Sequence, residues 1–148
     1  MDYMGYNRAQ LNSRRISKVS KKVMVFIIPS LVKAGPVQTE VRFPYRGKLV
    51  NSYASCGTSG ATTTTIDIEK CDQEAYDTAP RWESVFQNKI TIDAKNKSNR
   101  PSTEPYSFKP SLETVNEDDH FRVNVIEAGE GVRDITVELV VDLDVEEE

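Results

Sequence analysis

Few residues in this chain have the types and spacing that catalysis needs. His120 is the single histidine, and it follows Asp118 and Asp119, so a carboxylate could orient it as a general base. The sequence has no Gly-x-Ser-x-Gly elbow or other nucleophile motif to accompany it. A histidine that begins a strand after an acidic turn is far more often structural. We therefore expect that the protein is not an enzyme.

Metal and phosphate sites have equally little support. Cys56 and Cys71 lack zinc spacing, and the acidic run 116–119 lacks the alternation of a calcium-binding loop. The loop 57–60 lacks the Lys-Ser/Thr ending of a phosphate-binding loop. Two cysteines are also too few for a disulfide scaffold. We expect no metal, no cofactor and two free thiols.

Aromatic side chains could instead bind a sugar. Trp82 and Tyr106 could form a platform for a saccharide, together with Tyr45, Tyr53 and Tyr76. Packing in the core or at an interface is the commoner fate of such side chains. Trp82 and Tyr106 are therefore the candidate ligand-binding residues of an alternative, carbohydrate-binding function.

Charge is distributed unevenly along the chain. The formal net charge is -4, yet residues 1–22 carry about +5 and the remainder about -9. The basic residues of this arm are Arg8, Arg14, Arg15, Lys18, Lys21 and Lys22. A basic arm and an acidic end can each meet an opposite charge on a neighbouring copy. Nucleic acid is the rival partner, but the negative body would repel phosphate, and only Tyr3 and Tyr6 offer stacking.

The apolar run 23–28 follows this basic segment, which is also the order of a secretory signal. Pro29 interrupts the run early. The run is also much shorter than the roughly 20 residues that a membrane-spanning helix needs. We therefore expect a buried strand and no membrane association.

The rest of the chain has the period-two alternation of strands with one wet face. In the segment 49–56, we expect Val50, Ser52, Ala54 and Cys56 on one face and Leu49 on the other. A helical turn is expected over 82–87 and a short edge strand over 106–108. The clearest alternating sets are Thr64, Ile66 and Ile68; Phe121, Val123 and Val125; and Ile135, Val137, Leu139, Val141 and Leu143.

Roughly eight short strands with turn signals between them indicate an all-β fold. We predict an antiparallel β-sandwich of jelly-roll type with an extended N-terminal arm, and a small closed barrel is the runner-up. The predicted divisions are a basic arm over 1–22, a sandwich domain over 23–145 and an acidic tail over 146–148.

The order of motifs from Phe43 to Leu143 resembles a β-sandwich module of bacteriophage virion proteins, including head fibres, capsid decoration proteins and tail or baseplate components. The likeness spans about two thirds of the chain and none of the arm. The matching stretches are YRGKL (45–49), TIDIE (65–69), ITID (90–93), EDDHFRV (117–123) and GEGVRDITV (129–137).

This resemblance implies a non-enzymatic virion structural protein, assembled in the host cytoplasm as a decoration, collar, fibre or tail component. It would pack with identical subunits, as a trimer or larger ring, and with other virion proteins, while the basic arm contacts a neighbour. Two alternatives stay open. One is a carbohydrate- or host-receptor-binding module of a phage fibre, and the other is a nucleic-acid-associated protein that uses the arm.

Overall fold

The computed structural model describes residues 20–144, which form layers of antiparallel strands. The predicted acidic tail, 146–148, lies outside the described residues. A short helix, α1, spans Gln73–Thr78, and a 3-10 turn spans Pro110–Leu112. The strands are β1 (Lys21–Leu31), β2 (Gly35–Phe43), β3 (Gly47–Thr58), β4 (Thr64–Cys71), β5 (Glu83–Ser84), β6 (Phe86–Asn88), β7 (Ile90–Ile92), β8 (Ser107–Phe108), β9 (Thr114–Val115), β10 (Asp119–Glu127) and β11 (Arg133–Leu143).

Two sheets form the layers of the sandwich. The first sheet has the order β1-β11-β3-β9, and the second has the order β2-β10-β4-β5, with β7 also paired to β4. A small third sheet pairs β6 with β8. The chain alternates between the first two sheets, and β11 returns to lie between β1 and β3. This is the strand order of a jelly roll, so the predicted all-β sandwich is confirmed.

The core lies between the inward faces of the central strands. On β11, the side chains of Ile135, Val137, Leu139 and Val141 are wholly buried. They meet the buried side chains that β10 and β4 contribute from the second sheet: Phe121, Val123, Val125, Ile66 and Ile68. The predicted alternation is confirmed here. Each such side chain stabilises the fold by about 1.5–3 kcal/mol through burial.

One part of the predicted facing is wrong. Alternation placed Val50 on the same face as Ser52, Ala54 and Cys56, with Leu49 on the other, but Leu49 is buried together with those three residues and Val50 is exposed. The pairing of β3 with β11 shifts between Val140 and Val141. A bulge adds one residue to a strand and reverses the facing beyond it, and this bulge turns Leu49 inward.

The predicted helical turn over 82–87 is also wrong, because that stretch forms β5 and β6. The helix lies earlier, at α1, where the side chain of Asp72 accepts a hydrogen bond of 2.7 Å from the amide of Ala75. An aspartate at this position satisfies an amide that the first turn leaves unpaired. The predicted strand over 106–108 is present as β8, paired with β6.

Asp67 is a buried carboxylate, although alternation along β4 puts it on the face opposite Ile66 and Ile68. It accepts a hydrogen bond of 2.5 Å from the hydroxyl of Ser84 on β5. Burial raises the pKa of the Asp67 carboxyl above its ordinary value, although the bond from Ser84 opposes this change. The folded chain therefore holds a proton at Asp67 more tightly than the unfolded chain does.

Because the pKa of Asp67 is raised in the folded state, the contribution of this residue to the free energy of unfolding falls as the pH rises from about 4 towards 7. We expect Asp67→Asn, which keeps a neutral acceptor for Ser84, to unfold at higher urea concentration than the wild type at neutral pH. The difference should shrink in acid. Urea denaturation across this pH range checks it, with the exposed Glu117→Gln as control. A variant that is less stable at neutral pH would show that the charged carboxylate is the favoured form.

Candidate functional site

The outer edge of β3 is sealed by other parts of the chain. The amides of Leu49 and Cys56 donate to the carbonyls of Glu113 and Lys97, at 2.8 and 2.9 Å. The amide of Ala54 donates to the side chain of Asn99 at 3.0 Å. The loop 93–106 and the residue before β9 thus take the place of a further strand. This edge is closed to strand addition.

The edge strand of the second sheet, β2, carries features that discourage strand addition. It contains Pro36, and its pairing with β10 is irregular between Arg122 and Asn124. Its charged residues are also engaged. Glu40 accepts a bond of 2.8 Å from the hydroxyl of Tyr76, and Arg42 forms an ion pair of 2.5 Å with Asp118.

The first strand, β1, lies at the edge of its sheet and has one side that pairs with no other strand of residues 20–144. It pairs with β11 in unbroken register from Lys21 to Ile28, and the carbonyl of Ser20 accepts from the amide of Leu143. Hydrogen-bonded and non-hydrogen-bonded residue pairs alternate along an antiparallel ladder. Because Ser20 is hydrogen-bonded to Leu143, the even-numbered residues of β1 direct their backbone N–H and C=O groups at β11. Odd-numbered residues direct theirs to the other side, where no residue among 20–144 pairs with them.

Apolar side chains line the same open segment. Val23, Val25 and Ile27 are 50%, 51% and 67% exposed, whereas Met24 and Phe26 are 5% and 3% exposed. The expected buried strand is therefore buried on one face only, because β1 lies in a two-layer sandwich and no element of residues 20–144 covers its outer face. We call Val23, Val25 and Ile27, with the backbone groups that they direct away from β11, the β1 edge.

The two ends of the β1 edge are polar or irregular. Lys21 and Lys22, which the charge pattern assigned to the arm, are exposed residues at the start of β1. Beyond Pro29, Ser30 has a φ of 63° and donates its amide to the side chain of Asp134 at 2.7 Å. This irregularity ends the regular ladder. The other predicted arm residues, Arg8, Arg14, Arg15 and Lys18, lie outside the described residues.

A cavity of about 480 Å³ opens on the outer face of the same sheet. We call it the Tyr53 cavity, and its walls come from β3, β11 and the loop 93–106. The hydroxyl of Tyr106 donates to the side chain of Asn51 at 2.6 Å and accepts from the amide of Ser52 at 2.9 Å. The guanidinium of Arg100 lies 5.9 Å from the ring centre of Tyr53.

Trp82 lies apart from this cavity, so the structure does not bring the two predicted ligand-binding residues together. Its ring packs edge-on against Tyr76 at 6.1 Å, and the guanidinium of Arg122 lies 4.5 Å from its ring centre. Arg122 also donates to Glu69 at 2.7 Å. Trp82 thus helps to cover the outer face of the second sheet, whereas Tyr106 lines the Tyr53 cavity.

His120 occupies a packed position beside α1. Its ring stacks on Tyr76, with ring centres 3.6 Å apart and planes at 3°, and its Nε2 lies 2.7 Å from the side-chain oxygen of Gln73. The neighbouring carboxylates bind elsewhere, Asp118 to Arg42 and Asp119 to Lys70. These contacts hold α1 against the sheet.

The two cysteines, Cys56 and Cys71, are buried and not bonded to each other. Burial raises the pKa of the Cys56 thiol, which lowers its reactivity. Within residues 20–144, no group of three or more His, Cys, Asp or Glu side chains could hold a metal ion.

Comparison of the chain with models of known protein families and with curated proteins gives no match. In the part of the chain that the structure describes, no helix has the length and apolar character needed to cross a membrane. Any assignment of function must therefore come from the β1 edge, the Tyr53 cavity and the resemblance found in the sequence.

We expect His120→Ala to lower the free energy of unfolding by about 1–3 kcal/mol, because it removes a ring contact and a hydrogen bond at a buried position. Chemical denaturation measures this change. Arg81→Ala, at an exposed site after α1, is the control and should leave stability unchanged. Equal stability of the His120 variant would mean that its contacts contribute little, which would reopen a chemical role for the histidine.

Proposed function

We propose that this protein is a non-enzymatic structural component of a bacteriophage virion, such as a decoration, collar, fibre or tail protein. It assembles with identical copies by adding strands at the β1 edge. The observation that carries the proposal is that one strand has three exposed apolar side chains and a row of backbone groups with no strand partner among residues 20–144. The resemblance in the sequence supports a virion setting, and jelly rolls are a common architecture of viral capsid proteins.

The charges on β1 favour antiparallel pairing of two copies. Parallel pairing in register would place Lys21 and Lys22 beside the same lysines of the second copy, and like charges directly opposite are destabilising. Antiparallel pairing centred on Val25 places each Val23 opposite an Ile27. The lysines then lie at opposite ends of the contact.

This register also satisfies the backbone. The odd-numbered residues direct their N–H and C=O groups outward, so Val25 would pair with its own equivalent and Val23 with Ile27 in bonded pairs. Pro29 has no N–H to donate, and it marks the point where the new ladder would stop. The apolar side chains of the two copies would form one continuous ridge.

A second contact is needed for a larger particle. A single pair of strands buries less than the roughly 1,200–2,000 Å² of a typical stable interface. Residues 1–19 of the predicted arm precede Ser20 and β1 in the sequence, and we assign them the additional contact with a neighbouring subunit. Arg8, Arg14, Arg15 and Lys18 would supply charge-assisted hydrogen bonds there. The trimer or larger ring expected from the sequence would then be closed by this arm contact, and the two-fold contact at β1 would join such rings in pairs.

The β1 edge is tested with substitutions that leave the core in place. We expect Ile27→Lys to weaken self-association at least about tenfold, because a charge on an edge strand opposes strand pairing. Val25→Pro should do the same by removing an outward amide, which an edge strand tolerates. Sedimentation equilibrium measures association, and cooperative thermal unfolding shows that each variant folds.

Ile126→Lys is the matched control, since Ile126 is similarly exposed but lies on β10 of the second sheet. It should associate as the wild type does. A wild-type protein that stays monomeric at high concentration, or an Ile27→Lys variant that associates as well as Ile126→Lys, would refute assembly through β1.

The arm is tested by deleting residues 1–19, which leaves β1 complete. We expect a folded protein that keeps the β1 contact but no longer forms the larger assembly, because the second contact is gone. Light scattering coupled to chromatography separates these species. Failure of the shortened chain to fold would refute the role of the arm as a contact. Salt-sensitive binding of DNA that disappears with the deletion would favour the nucleic-acid alternative instead.

A further inference from the structure

We propose that the Tyr53 cavity binds a saccharide. This inference goes beyond the proposed assembly, because it assigns a ligand to a part of the sheet that takes no part in the β1 contact. Its volume, about 480 Å³, is in the range of small-molecule sites, which are about 300–1,000 Å³.

The walls of the cavity are held in place before any ligand arrives. Tyr106 is fixed by its two hydrogen bonds to β3. Asn99 is fixed by two hydrogen bonds with the backbone of Ala54. The backbone N–H of Ala54 donates to the side-chain oxygen of Asn99 at 3.0 Å, and the backbone N–H of Asn99 donates to the carbonyl of Ala54 at 3.1 Å. Preorganised walls reduce the entropy lost on binding.

Several polar groups in the walls have no partner among residues 20–144. The oxygens of Asn51 and Asn99 accept bonds from the protein, which leaves their side-chain N–H₂ groups as donors. The guanidinium of Arg100 and the carboxylate of Glu138 form no ion pair in this part of the chain. The Tyr53 hydroxyl likewise has no protein partner there. Donors and acceptors are thus both available around one cavity.

The balance of these groups selects the class of ligand. Arg100 and Glu138 cancel in charge, so the cavity favours neither a phosphate nor a metal cation. The ring of Tyr53 and the side chains of Val140 and Pro105 provide apolar surface. A pyranose ring presents C–H groups on its faces and hydroxyl groups at its rim, and each hydroxyl can both donate and accept. A neutral saccharide therefore matches the mixture of surfaces.

The position of the cavity separates this inference from the assembly. Its walls lie on β3, β11 and the loop 93–106, whereas the β1 edge lies on the far side of β11. Pairing at β1 would leave the cavity open in every subunit. An assembly would then present many copies together, which raises the avidity for a repeating glycan well above the affinity of one site.

The test uses the full chain, fluorescently labelled, on an array of immobilised bacterial and eukaryotic oligosaccharides. The best binder is then titrated in solution against the wild type and the variants Arg100→Ala and Glu138→Gln. We expect each variant to bind at least about tenfold more weakly, because each loses a hydrogen bond between a charged group and a hydroxyl. Neither side chain holds the described fold together, so both variants should unfold as the wild type does.

Tyr45→Ala is the matched control, an exposed tyrosine outside the cavity, and it should bind as the wild type does. The variant Trp82→Ala shows whether the ligand binds at Trp82 or at the Tyr53 cavity, which contains Tyr106. Loss of binding in the Trp82 variant, with binding kept by both cavity variants, would place the site on the second sheet and overturn the inference. Absence of binding to every glycan on the array would also overturn the saccharide inference. That result would leave the assembly proposal intact, because the β1 variants test assembly by a separate measurement.

Discussion

The backbone groups at a sheet edge need hydrogen-bond partners, and this requirement shapes the whole molecule. The loop 93–106 supplies those partners to β3, while proline and engaged charges protect β2. Among the strands of residues 20–144, the segment Lys21–Ile28 combines a ladder edge without a described partner with exposed apolar side chains. The same loop that seals β3 also forms a wall of the Tyr53 cavity. Within the described residues, the first sheet thus has two separate surfaces, the β1 edge and the Tyr53 cavity, and these are the surfaces to which we assign our two proposals.

Much of the fold could be predicted because two-layer sandwiches impose period-two patterns. The alternation from Ile135 to Leu143 identifies a strand with one buried face, and the structure agrees. Local irregularities are less visible. The bulge that turns Leu49 inward depends on the partner strand, β11, and no property of residues 47–58 reveals it. The burial of Asp67 likewise depends on Ser84, which arrives from a different strand.

The candidate sites were less predictable because they depend on which sheet each residue joins. The run 23–28 is apolar at every position, so alternation cannot tell which side chains face water, and the exposure of Ile27 appears only in three dimensions. Trp82 and Tyr106 looked equivalent as isolated aromatic residues. The topology places one beside Arg122 and the other above β3. Glu138 gave no signal, since a charged residue on a wet strand face is ordinary.

The place of β11 between β1 and β3 has a consequence for biosynthesis. Ser30 and Asp134, which bond at the end of β1, lie 104 residues apart in the chain. A nascent chain that leaves the ribosome presents β1 without its described partner until β11 has been translated. Contacts of such long separation form slowly and expose apolar segments in the meantime. On crowded polysomes, β1 of one growing chain would meet β1 of the next, so the pairing that we propose for β1 would have its first opportunity before either chain has finished folding.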